Sequence, residues 1–80
     1  MDYISREKLK WHSRRSILEL DLYFDRFIKS EQYGKLTEAE LQSYQYILTL
    51  EDGDLLLLLQ EKSTLEKVDH QAIINKILGN

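Results

Sequence analysis

Eighty residues with 11 basic and 14 acidic side chains, a net charge of −3 and no cysteine already narrow the function classes open to this chain. One small domain spanning residues 1–80 is expected, burying only about 60% of its unfolded surface, which leaves little room for an interior active site. The lack of cysteine excludes a disulfide framework or a thiolate zinc site.

The longest apolar run, Leu55 to Leu59, falls far short of the ~20 residues a membrane span needs. Asp2 and Glu7 stand at the N-terminus with no apolar block behind the basic residues, so no secretory signal is read and a cytoplasmic location is expected. Charge is uneven along the chain. Residues 1–15 hold Arg6, Lys8, Lys10, Arg14 and Arg15 against Asp2 and Glu7, a local +3; residues 16–80 hold six basic and twelve acidic groups, a local −6. Five cations are few for nucleic-acid binding, and the acidic body repels a phosphate backbone. No nucleic-acid partner is expected.

With no proline and three glycines, helix boundaries must be read from caps and periodicity. A first helix is expected over about residues 4–13, with Ile4, Leu9 and Trp11 as its apolar content. Ile17, Leu20, Tyr23, Phe24, Phe27 and Ile28 share one arc at 3.6 residues per turn, while Asp21, Asp25 and Lys29 lie outside it. This second helix is expected from Ser16 to Tyr33, ending at a left-handed Gly34. Thr37 and Glu40 form a capping box for a third helix, with Leu36 stapled to Leu41 and Leu41, Tyr44, Ile47 and Leu48 as its buried stripe.

Asp52 is read as the cap of a short fourth helix carrying the leucine run. Five consecutive leucines point in every direction on a helix, so this element either packs on several sides or leaves Leu56 or Leu57 exposed. A charged connector, residues 61–67, precedes a last helix capped by Asp69. Val68 and Ile73 are its staple, Ile73, Ile74, Ile77 and Leu78 its apolar face, and Gly79 its end. No segment alternates with period two. The expected fold is all-α, a small bundle of about five short helices.

Catalysis has little support, and no enzyme is expected. His12 and His70 are the only histidines and neither belongs to a metal-ligand pair; His70 reads as a solvated first-turn residue. Asp52 and Asp54 resemble half a calcium loop without its remaining ligands. No phosphate-cradling glycine loop or nucleophile elbow is present. No catalytic residue, cofactor or metal site is assigned.

The segment from Trp11 to Asp21 is different, because folding alone does not explain it. Arg14 and Arg15 stand at the start of a helix, where the backbone dipole opposes cations. Leu18 and Leu22 face away from the arc of the second helix. Ser16 and Glu19 fit a capping box, and Arg15 and Glu19 have the spacing of a helix ion pair. That pair is in the weaker order and contributes ~0.3–0.5 kcal/mol at best. Trp11, Arg14, Arg15, Ser16, Leu18, Glu19 and Leu22 are therefore the expected partner-binding residues, with Trp11 as an aromatic anchor.

This stretch resembles the signature of the FAD assembly factors for succinate dehydrogenase, a bacterial SdhE-like family also called CptB-type or YgfY-like proteins. The family's Arg-Gly-x-x-Glu motif is met by Arg15-Ser16-Ile17-Leu18-Glu19. Trp11, the doubled Arg14-Arg15 and Glu19-Leu20-Asp21 agree with its flanks. The likeness continues through Phe27, Leu36-Thr37 and Asp52-Gly53-Asp54-Leu55, and covers nearly the whole chain. It implies a chaperone-like factor that binds the flavoprotein subunit of succinate dehydrogenase, or of its fumarate reductase relative, and promotes covalent FAD attachment there.

One departure from the family is Ser16 in place of glycine. Serine is strained if the position needs a positive φ, obstructive if a partner's backbone approaches closely, and harmless if it caps the helix. The local sequence supports capping, because Glu19 completes the box. An antitoxin-like regulatory or nucleic-acid-binding role is the alternative, carried by the basic first helix. Salt-sensitive binding to nucleic acid distinguishes it.

Overall fold

Helical periodicity decides most of the architecture. The computed structural model describes residues 6–79, and among them six helices follow one another with no strand: α1 (Arg6–His12), α2 (Leu18–Ile28), α3 (Glu31–Gly34), α4 (Glu38–Leu48), α5 (Asp52–Leu59) and α6 (Val68–Ile77). The expected all-α bundle is observed. Ile4, assigned to the first helix, lies outside the described residues.

The helices close around one apolar cluster. Leu20, Phe24 and Phe27 of α2 meet Leu41, Tyr44, Ile47 and Leu48 of α4, Leu55, Leu58 and Leu59 of α5, and Ile73, Ile74 and Ile77 of α6. α4 packs on α6, and α2 lies against α3, α5 and α6. The Tyr44 ring sits among Phe24, Phe27 and Tyr33, with centroids 6.2, 5.5 and 5.8 Å away. Leu9 of α1 joins the same cluster. The leucine run divides as a helix must: Leu55, Leu58 and Leu59 are buried, Leu56 is half-buried and Leu57 is exposed.

The Thr37 box forms as expected. Thr37 Oγ1 accepts from the Glu40 amide at 3.2 Å, and Glu40 Oε1 accepts from the Thr37 amide at 2.9 Å. Glu40 also pairs with Lys76 Nζ at 3.5 Å, tying α4 to α6. Leu36 and Leu41 are both buried beside this box. Gly79 ends the last helical segment at φ 89°.

Several expected caps are replaced. The helix expected over 16–33 is two helices, because the Ser30 amide and hydroxyl both donate to the Phe27 carbonyl, at 3.0 and 2.6 Å. A serine bonding back to the main chain competes with helix continuation. The break folds Tyr33 onto Phe27, ring centroids 5.7 Å apart. Gly34 ends α3 without a positive φ.

Glu51, not Asp52, is the N-cap of α5, and Asp52 turns toward Arg15. Lys67, not Asp69, is the N-cap of α6. Val68 starts that helix and is exposed, so it does not staple to Ile73; Gln71 Oε1 instead reaches back to the Leu65 amide at 2.9 Å. His70 is not simply solvated, since its ring stacks on Tyr46 at 4.2 Å.

α5 ends without glycine. The Lys62 amide donates to Leu57 O at 2.9 Å and the Glu61 amide to Leu58 O at 3.2 Å, while Glu61 takes φ 61°. This is the Schellman arrangement, with glutamate in the left-handed position that glycine usually fills.

Candidate partner-docking face

The link between α1 and α2 is held at two points. Ser13 is buried; its hydroxyl donates to the Leu9 carbonyl at 2.6 Å and shares a hydrogen bond with the Tyr44 hydroxyl. Burial pushes the Tyr44 phenol well above its ordinary pKa, with the Ser13 bond acting against that shift. This pair fixes the end of α1 on α4. Two residues on, Arg15 makes the second attachment.

Arg15 points inward. Its Nη2 donates to the Leu48 carbonyl at 2.7 Å, its Nε lies 3.8 Å from Asp52 Oδ1, and its guanidinium carbon is 5.9 Å from the Phe24 ring centre. The Arg15 amide donates to Asp21 Oδ1 at 3.3 Å. The expected Arg15–Glu19 ion pair is therefore not formed. Arg15 precedes α2 and turns toward the α4–α5 junction, where the C-terminal carbonyls of α4 attract a cation.

The expected Ser16–Glu19 capping box is also absent. Ile17 is the N-cap of α2, with φ −82° and ψ 119° and no side-chain cap. Asp21 performs the backward reach instead, to Arg15. Ser16 is exposed and has no positive φ. Neither strain nor capping describes it, which leaves its Cβ and hydroxyl on the surface.

The remaining candidates face outward. Trp11 is 72% exposed, Leu18 69% and Leu22 58%; Arg14 and Glu19 are exposed too. The Glu19 side chain makes no hydrogen bond or ion pair with the described residues. Leu18 and Leu22 are one turn apart on the outer side of α2, so their apolar surfaces adjoin. Large apolar side chains left mostly in solvent and gathered on one face make a candidate binding surface.

Three linked hollows join these residues. Glu7, Lys10, Trp11 and Arg14 line one of about 260 Å³. Lys10 and Arg14, with Ser13, Asp21, Asp25 and Ile28, line a second of about 290 Å³. Asp25 is shared with a third, about 500 Å³, lined by Glu19, Leu22, Tyr23 and Arg26. Trp11, Arg14, Glu19 and Leu22 thus border one uneven surface, with Leu18 beside it and Arg15 turned away. Tyr23, Asp25 and Arg26 extend the surface beyond the residues expected from sequence. Their helical spacing marked Tyr23 as core and Asp25 as solvated, and nothing local distinguished the hollow between them.

Among the described residues no group of three or more His, Asp or Glu side chains converges to hold a metal ion. No helix there is long and apolar enough to cross a membrane.

Comparison with known proteins places the chain in a family. Residues 7–80 match the family model described as Sdh5, flavinator of succinate dehydrogenase. A protein named FAD assembly factor SdhE from Pseudomonas savastanoi pv. phaseolicola is 32% identical over 75 residues, covering 94% of this chain and 88% of the relative. Its namesake from Psychrobacter arcticus is 38% identical over 72 residues, covering 90% and 76%. That from Aliivibrio fischeri is 33% identical over 78 residues, covering 95% and 90%. On the match across residues 7–80, the chain belongs to the succinate dehydrogenase flavinator family.

Proposed function

We propose that this chain is an FAD assembly factor: it docks on the flavoprotein subunit of succinate dehydrogenase and promotes covalent attachment of FAD there, acting in the cytoplasm. The same docking extends to the fumarate reductase relative of that subunit. The observation that carries this reading is the largely exposed face of Trp11, Leu18, Leu22 and Glu19, outside the buried core, on a chain of the flavinator family.

The chain needs no chemistry of its own for this role. Trp11, Leu18 and Leu22 supply the apolar contact, and Arg14 and Glu19 supply charge that selects register. Ser16 lies at the approach surface between them. Docking holds the partner's flavin site in a reactive arrangement, and attachment then follows by proximity and orientation, a contribution of several kcal/mol to a barrier. FAD is cargo for the partner, so the isolated chain is expected to bind free FAD weakly.

The test is covalent flavin on the apo flavoprotein subunit, incubated with FAD in the presence or absence of this chain and read by in-gel fluorescence after denaturation. Flavin attachment rises with the chain and falls with Glu19→Ala, while the melting temperature stays within a few degrees. No rise with a folded partner and saturating FAD overturns the reading.

A further inference from the structure

Arg15 belongs to the motif but not to its exposed surface. Its side chain is 17% exposed, while Arg14 and Ser16 on either side are exposed. Both ends of the residue are held: the guanidinium by the Leu48 carbonyl at 2.7 Å, the amide by Asp21 Oδ1 at 3.3 Å. The Thr49 and Leu50 amides turn back to Tyr46 and Ile47, so the Leu48 carbonyl at the end of α4 is taken by Arg15. Arg15 Nε is buried with no hydrogen-bond partner, and its electrostatic neighbour is Asp52 Oδ1 at 3.8 Å.

These contacts connect two distant parts of the chain. Leu48 closes α4, Asp52 opens α5, and Ser16 to Leu22 carries the proposed docking face. Ile17, the N-cap of α2, has no side-chain cap. The start of α2 therefore depends on Asp21 and on the anchored residue that Asp21 grips.

We propose that Arg15 is a positioning residue: it ties the docking segment to the α4–α5 junction, and Asp52 is part of the same device although it lies outside the docking surface. This rests on the docking role proposed above. A segment released from its anchor populates the docking-competent arrangement less, and apparent affinity falls by that same fraction. Lysine at position 15 keeps the charge but loses the planar fork that reaches a carbonyl and a carboxylate together.

The experiment compares Arg15→Lys, Asp52→Asn, their combination and Glu19→Ala, with Ile77→Val as a core control. In the free full-length chain, amide hydrogen exchange at residue 15 and Asp21 is expected to accelerate about tenfold in each of the first two. The double variant exchanges no faster than the faster single, and Glu19→Ala and Ile77→Val leave these amides unchanged. With the flavoprotein subunit, the concentration for half-maximal flavinylation rises about tenfold in Arg15→Lys and Asp52→Asn, while the maximal rate is retained. Unchanged exchange in either single variant, or effects that multiply in the double, overturns the positioning role whatever flavinylation does. Accelerated exchange with flavinylation indifferent to every variant, Glu19→Ala included, overturns the docking reading on which the role rests.

Discussion

Arg15 Nη2 lies 2.7 Å from the carbonyl oxygen of Leu48, so an arginine 33 positions before that residue in the chain caps the C-terminus of α4. In the linear sequence this cation stands before α2, where the helix dipole opposes it. In space its guanidinium serves the negative end of another helix, and the same rule is obeyed. The remaining members of the motif are then free for contact.

Ser16 is the point at which this chain departs from its family's motif. It lies outside the left-handed region and caps nothing, so Ser16→Gly removes a surface Cβ and hydroxyl rather than relieving strain. Stability is expected to fall by about 0.5–1 kcal/mol through added freedom of the unfolded chain. Affinity for the flavoprotein subunit is expected to rise. Urea unfolding and titration calorimetry read the two effects separately, and unchanged affinity means that no partner backbone approaches this residue.

Trp11 is the single tryptophan and reports on the face directly. At 72% exposure its fluorescence is that of a solvated indole, and docking shifts the emission to shorter wavelength. Trp11→Ala is expected to cost about 2 kcal/mol of binding with less than 0.5 kcal/mol of stability. An emission spectrum unchanged at saturating partner places Trp11 outside the contact.

The Ser13–Tyr44 pair predicts an asymmetry. Ser13→Ala leaves the buried Tyr44 hydroxyl without its Ser13 bond and should destabilise by about 1–3 kcal/mol. Tyr44→Phe leaves Ser13 still bonded to the Leu9 carbonyl and should cost about 1 kcal/mol. Denaturant midpoints at constant slope measure both.

Glu61 holds a positive φ that closes α5. Glu61→Gly removes the steric cost of a Cβ there and is expected to stabilise by up to about 1 kcal/mol. Thermal unfolding checks it; a lower melting temperature shows that the glutamate side chain outweighs the strain.

Glu40 makes stability sensitive to acid. The Thr37 amide bond lowers its pKa most, burial opposes that, and Lys76 adds a further lowering. A depressed folded-state value means the contribution is complete above the ordinary glutamate pKa and disappears as pH falls through the lower, folded value. Thr37→Ala removes the cap hydroxyl at a cost of about 1 kcal/mol. Retaining the Thr37 amide bond, Glu40 is expected to stay depressed in that variant, which an NMR titration of its side chain reads; in Lys76→Ala its value moves up.

The sequence by itself determined the all-α class, the Thr37–Glu40 box, the buried stripe of α4, the centres of those of α2 (Leu20, Phe24, Phe27) and α6 (Ile73, Ile74, Ile77), and the outward placement of Leu18 and Leu22, whereas Ile17, expected on the α2 arc, is exposed. Those features depend on 3.6-residue periodicity or on groups within four positions, so local physics reaches them. Tertiary structure alone decided the cap at Glu51 and the inward turn of Arg15, because each depends on a distant partner: Arg15 for Asp52 and Leu48 for Arg15. The break at Ser30 and the cap at Lys67 rest on nearer groups, the Phe27 carbonyl for Ser30 and Gln71 for the Leu65 amide, where one local bond outcompeted another. For Arg15 the partner stands 33 residues away, and no pattern in the chain signals a contact that exists only once α4 has folded and presents an unpaired carbonyl. Leu18 and Leu22 could be read as exposed because they lie off the apolar arc; Ser16 and Ile17 could not, because the expected cap and arc gave way to a helix that starts at Leu18, and Arg15 could not, because the fold supplies its partner.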